Sequence, residues 1–144
     1  MNLTMTKALN AGLRRALGAD PKVLLAGEDI GKLGGVFRVT EGLQAEFWPD
    51  RVVDSPLAEA GIVGTAVGLA MRGYRPVLEI QFDGFVYPAF DQIVSQVSRM
   101  RFRTGGQVAV PDGRVGRPVP GQVSSPWIPR PWSSGPRSSR PWIP

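Results

Sequence analysis

An α/β fold built on a doubly wound, mostly parallel sheet is what the sequence predicts, on three observations. Short apolar runs of strand length alternate with helical stretches at a regular rhythm. The strand-like runs are continuous rather than alternating, as in strands buried on both faces. Glycines and acidic residues gather where the first run ends, which is where open parallel sheets carry their ligand loops.

The first element is a helix over residues 4–17. Leu9, Leu13, Ala16 and Leu17 recur at helical spacing, Lys7, Arg14 and Arg15 fall on other faces, and Thr4 or Thr6 supplies the cap. Gly18 and Pro21 end it. Val23-Leu24-Leu25-Ala26 is a first strand, running into Gly27-Glu28-Asp29-Ile30-Gly31 and a loop with Gly34 and Gly35. Residues 40–47 suit a short helix stopped by Pro49, and Val52-Val53 a second strand. Asp54-Ser55-Pro56 predicts a third helix running to Met71, with Ser55 as N-cap and Pro56 in the first helical position. Residues 76–82 read as a third strand. A fourth helix over 88–103 carries Phe90, Ile93, Val94, Val97 and Met100 on its apolar face. Gly105-Gly106 breaks it, and Gln107 to Val110 opens a fourth strand.

Composition then limits the chemistry. Among 144 residues there is no Cys and no His. Disulfides, thiolate nucleophiles, Ser–His–Asp triads and imidazole metal sites are excluded, and no metal site is expected. Carboxylates, hydroxyls, Lys/Arg, backbone dipoles or a bound cofactor must do any work. The net charge of +5 is unevenly placed: residues 1–110 hold 12 basic and 11 acidic side chains, residues 111–144 five Arg and one Asp. A nearly neutral body gives no groove for nucleic acid. The N-terminus lacks a signal-peptide pattern and no apolar stretch is long enough for a bilayer, so a cytoplasmic, non-membrane protein is expected.

Residues 1–110 form one domain, and residues 111–144 stand apart. Nine Pro, four Gly and six Ser make up 19 of those 34 positions. Pro126-Trp127-Ile128-Pro129 recurs at 141–144, and Arg-Pro-Trp occurs at 130–132 and 140–142. A segment of this kind builds neither ladders nor a core, so a disordered tail is expected, and the sheet ahead of it reads as incomplete. Out-of-frame translation of a GC-rich gene explains such a tail, and a polyproline-type binding segment is the competing reading.

Three motifs carry chemistry. Glu59 enters an otherwise apolar helix, followed by Ala60-Gly61-Ile62-Val63-Gly64. The macrodipole alone accounts for an acid in a first turn, whereas a lone carboxylate beside so much apolar surface also suits a ligand contact. Gly27-Glu28-Asp29-Ile30-Gly31 lies at a strand end and fits neither a Walker loop nor a dinucleotide fingerprint. Phe82-Asp83-Gly84-Phe85-Val86-Tyr87-Pro88 concentrates aromatics in a loop, to cover the sheet edge or to stack on a flat heterocycle.

Taken in order, these segments resemble the β subunit of the E1 component of 2-oxoacid dehydrogenase complexes, the pyruvate and branched-chain enzymes. Gly34-Gly35-Val36-Phe37-Arg38, Thr40-Glu41-Gly42-Leu43, Asp54-Ser55-Pro56-Leu57-Ala58-Glu59-Ala60-Gly61, Glu79-Ile80-Gln81-Phe82, Pro88-Ala89-Phe90-Asp91-Gln92-Ile93 and Arg101-Phe102-Arg103-Thr104-Gly105-Gly106 carry the likeness, over about residues 4–111.

The resemblance implies a truncated transketolase-like pyrimidine-binding domain that grips the aminopyrimidine of thiamine diphosphate. Glu59 matches the family's catalytic Glu on ring nitrogen N1′, Phe85 the stacking position, Leu57 a pocket wall and Glu28 an acid near the cofactor. It further implies decarboxylation of pyruvate or a branched-chain 2-oxoacid and acyl transfer to a lipoyl-bearing E2. An E1 α subunit holds diphosphate and Mg²⁺ in an α2β2 heterotetramer, so the chain alone is expected to be inactive. The alternatives are a non-catalytic α/β remnant or interaction module, and another transketolase-like enzyme.

Overall fold

The computed structural model describes residues 3–108. Its sheet has three parallel strands, β1 (Val23–Gly27), β2 (Val52–Asp54) and β3 (Arg75–Glu79), in the order β2-β1-β3. β1 is central: Leu25 pairs with Val52 on one side and Val77 on the other.

Successive strand residues point to opposite faces, which decides what each helix covers. Helices α1 (Met5–Ala19) and α2 (Leu43–Phe47) share one face. There Leu17, Val23, Leu25, Ile30, Leu43 and Val52 form the buried core, with Leu13, Ala16 and Phe47 packed against it. Leu24 and Ala26 point the other way, toward Ile62, Ala66 and Leu69 of α3 (Glu59–Met71). Helices on both faces of a parallel sheet are the doubly wound arrangement expected. No described helix is long and apolar enough to cross a membrane.

Two polar devices fix α1. Thr4 caps its start, its hydroxyl accepting from the Lys7 amide at 3.4 Å. At the other end the Arg51 guanidinium reaches back from the turn before β2. It donates to the carbonyls of Leu17 (3.0 Å), Asp20 (2.9 Å) and Val23 (2.6 Å), so one side chain ties the end of α1 to the start of β1.

Several expected boundaries shift, each for a physical reason. The third helix begins at Glu59, not at Pro56, because the Ser55 amide donates to the Gly27 carbonyl at 2.8 Å. That bond prolongs the β1–β2 ladder and keeps the chain extended past Asp54. The helix expected over 40–47 begins at Leu43, because Gly42 takes a left-handed conformation (φ 77°) and Thr40 is buried as a loop anchor. The third strand ends at Glu79 rather than residue 82. The helix expected over 88–103 is wound irregularly and starts earlier. A 3₁₀ helix (Asp83–Ala89) includes the segment read as an aromatic loop, a π turn (Gln92–Val97) follows, and α4 (Met100–Arg103) ends it. Pro88 has no amide to donate within that run, and the Ser98 amide reaches Ile93 at 3.1 Å, the long step of a π turn. Gln107 and Val108 lie in a bend rather than a strand; the remainder of the expected fourth strand and the tail lie outside the described residues.

Candidate active site

The C-terminal edge of the sheet collects the candidate residues. β1 delivers Glu28 as the residue after its last, and the loop behind it is held by its own backbone. The Gly35 amide donates to Asp29 (2.8 Å), the Gly34 amide to Gly31 (3.1 Å) and the Thr40 amide to Gly34 (3.1 Å). The Thr40 hydroxyl, almost wholly buried, donates to the Ile30 carbonyl at 2.7 Å. Asp54, at the end of β2, accepts from the Gly31 amide at 2.6 Å and so ties this loop to the neighbouring strand.

Gly31 leaves no room for a side chain: a Cβ there would land on Gln44 and Asp54. Gly31→Ala is therefore expected to lower stability by about 2 kcal/mol through overpacking and a displaced Asp54. Urea denaturation measures it, and a loss below about 0.5 kcal/mol would show that the loop yields freely.

Glu59 is the first residue of α3, with Ala58 as the N-cap. The extended Ser55-Pro56-Leu57-Ala58 connection brings it up beside Glu28. Glu28 is 7% exposed, and its Oε1 finds no hydrogen-bond partner. Its pKa is raised, first by burial, then by the negative charges of Glu59 and Asp29, while the Ala58 backbone amide pulls the other way. Close neighbours shield the residue from water.

The sign of the resulting pH dependence follows. A carboxyl with a folded-state pKa above its unfolded value, near 4.5, binds more protons folded than unfolded in the interval between the two. Its contribution to stability is fullest below that interval and declines as pH rises through it. Glu28→Gln removes the decline. The melting temperature of the variant relative to the parent is expected to climb between about pH 4 and pH 7. A flat difference over that range would contradict the enclosure of Glu28.

Phe85 lies on the 3₁₀ helix, which packs against α3. Its amide donates to the Phe82 carbonyl at 3.0 Å. The Phe85 ring is 43% exposed and meets Phe82 edge-on, with centroids 5.5 Å apart. Leu57, at 78% exposed, lines nothing enclosed within the described residues.

The four residues singled out from the sequence therefore divide. Glu28 and Glu59 are brought within electrostatic reach of each other, Phe85 sits on an adjoining element, and Leu57 projects outward. Two concavities stand out among the described residues. One, about 420 Å³, separates α3 from the sheet; the other, about 400 Å³, lies between Asp29, Lys32, Leu33 and Asp54. Neither is lined by Glu28, Glu59 or Phe85; Glu28 is buried, Glu59 is half-buried and the Phe85 ring is partly open to solvent.

Sequence reasoning gave no role to four neighbours. Thr40 and Asp54 anchor the Glu28 loop. Glu79, at the end of β3, lies against Gly35, and burial raises its pKa. Phe37, from the loop, completes an aromatic run with Phe82. For Glu79 a carboxylate closing an apolar strand was the available signal.

The fold sets two neighbouring carboxylates at the C-terminal edge of a parallel α/β sheet. A family profile for the transketolase pyrimidine-binding domain matches residues 1–119, and the chain belongs to that family. Among curated relatives, it is 72% identical over 110 residues to the pyruvate dehydrogenase E1 component subunit beta of Leifsonia xyli. It is 58% identical over 109 residues to the subunit of the same name from Staphylococcus epidermidis, and 58% over 110 to the 3-methyl-2-oxobutanoate dehydrogenase subunit beta of Mycobacterium tuberculosis. Each match takes in 76% of this chain and 32–34% of the relative, so the chain spans about a third of their length. The resemblance read from the sequence is to these subunits.

Proposed function

We propose that this chain supplies the pyrimidine-gripping part of a thiamine-diphosphate-dependent E1 β subunit, acting in the cytoplasm. The observation that carries the reading is the acid pair at the strand edge. Glu28 is almost buried, has an unpartnered oxygen, and is raised in pKa partly by Glu59. A buried acceptor without a donor suits a ligand that brings N–H groups, and an aminopyrimidine does so.

In this reading Glu59 accepts a hydrogen bond at ring nitrogen N1′ and holds the proton there, a charge-assisted contact. Glu28 keeps a second acceptor, its unpartnered Oε1, close to Glu59. Phe85 offers its exposed ring to the flat heterocycle, and Leu57 covers one side once a partner surface closes over it. When bound, thiamine diphosphate supplies the carbanion chemistry that decarboxylates a 2-oxoacid. An E1 α subunit provides the opposite wall, the diphosphate contacts and Mg²⁺ within an α2β2 assembly. Lipoyl-bearing E2 takes the acyl group, from pyruvate or a branched-chain 2-oxoacid. The half-buried Glu59 and partly exposed Phe85 ring favour this shared site, and the 144-residue chain by itself is expected not to turn over.

The test adds the α subunit of the Leifsonia xyli enzyme to this chain and titrates thiamine diphosphate with Mg²⁺ by calorimetry. Binding that requires both chains supports the reading. Binding by the α subunit alone, unchanged when this chain is added, overturns it. Supplying pyruvate and 3-methyl-2-oxobutanoate with thiamine diphosphate and Mg²⁺ to this chain alone tests the expected lack of turnover.

A further inference from the structure

The aromatic residues of the site are not independent. The Phe37 and Phe82 rings meet edge-on at 5.6 Å and 74°, and the Phe82 and Phe85 rings at 5.5 Å and 82°. Such geometry directs the positive edge of one ring at the negative face of the next, which fixes angle as well as distance. All three rings remain about half exposed, from 43% to 54%. The surrounding core therefore does not hold them in place; they hold one another.

The ends of this ladder lie on different elements. Phe37 belongs to the loop that begins at Glu28, where Gly34 (φ 83°) and Gly35 (φ 77°) set the turn and the Arg38 amide donates to Gly35 at 3.1 Å. Phe85 belongs to the 3₁₀ helix after β3. The ladder thus ties the acid-bearing loop to the element carrying the stacking ring. We propose that Phe37 and Phe82 are positioning residues that hold Phe85 at the angle a flat heterocycle requires, relative to the carboxylates. The proposal rests on the reading of Phe85 as the ring-stacking residue.

The test uses the full chain with ¹³C-labelled Phe, mixed with the unlabelled α subunit of the Leifsonia xyli enzyme, and thiamine as the aminopyrimidine probe, followed by NMR. Phe37→Leu keeps bulk and removes the ring; Phe37→Tyr keeps the ring. The leucine variant is expected to shift the Phe85 ring resonances and weaken thiamine binding about fivefold, whereas the tyrosine variant matches the parent. Phe82→Leu should reproduce the leucine result. Because Phe37 is exposed, an unchanged far-ultraviolet circular dichroism spectrum is expected throughout. Phe85 resonances and thiamine affinity that stay at parent values in Phe37→Leu, while Phe85→Leu loses affinity, overturn the positioning role. Parent-like affinity in Phe85→Leu instead overturns the stacking reading beneath it, and the Phe85 resonances in Phe37→Leu still report whether the ladder holds.

Discussion

Glu59→Gln is expected to separate cofactor binding from turnover. The substitution belongs in a full-length β subunit made by carrying residues 1–110 of this chain into the Leifsonia xyli relative, assembled with its α subunit. Glutamine keeps the shape of the side chain and loses its charge and basicity. In the proposed site thiamine diphosphate should still bind within about tenfold of the parent chimera, since most of its contacts lie elsewhere. Decarboxylation of 2-oxoacid should fall by about 100-fold or more, the scale of losing a positioned acid–base group. Calorimetry and steady-state rates read the two separately. Turnover within a few fold of the parent would remove Glu59 from the chemistry.

Arg51→Met carries the largest expected loss of stability. Its guanidinium donates three hydrogen bonds to backbone carbonyls at the end of α1 and the start of β1. Methionine preserves much of the stem packing and leaves those partly buried carbonyls without their charged donor. A loss of about 3 kcal/mol is expected in urea denaturation. Arg51→Lys should recover only part of it, because an ammonium cannot match the planar fork. A loss below about 1 kcal/mol would mean that water replaces the guanidinium at little cost.

Arg51 also marks the limit of what the chain discloses on reading. Strand and helix order is legible because Val23-Leu24-Leu25 and the apolar helical spacings declare burial directly. Boundaries are less so. Ser55-Pro56 has the form of a helix start, yet a single ladder bond from Ser55 to Gly27 holds it in the sheet. Tertiary pairing overrode a local signal there. Around Pro88 the apolar spacing is helical while the winding changes twice, because spacing does not report which carbonyl each amide reaches.

The site divides along the same line. Glu59 is legible as a lone carboxylate opening an apolar helix, and Glu28 as an acid at a strand end. Their proximity is not, since it depends on parallel strands placing two distant segments side by side. The Phe37–Phe82–Phe85 ladder is hidden for the same reason. Leu57 illustrates the converse: its place in the motif suggests a wall, yet the side chain projects outward.

The most direct test of the acid pair and ring as one site is carboxyl ¹³C NMR of the Glu-labelled chain, mixed with the unlabelled α subunit of the Leifsonia xyli enzyme and titrated with thiamine. The Glu59 and Glu28 side-chain resonances are expected to move together along one saturating curve, with the other glutamates stationary, and in Glu59→Gln the Glu28 resonance should still move, along a curve shifted no more than about tenfold in concentration. Glu59 and Glu28 resonances that stay fixed while thiamine saturates, or move no more than exposed Glu41 and Glu46, would contradict the account.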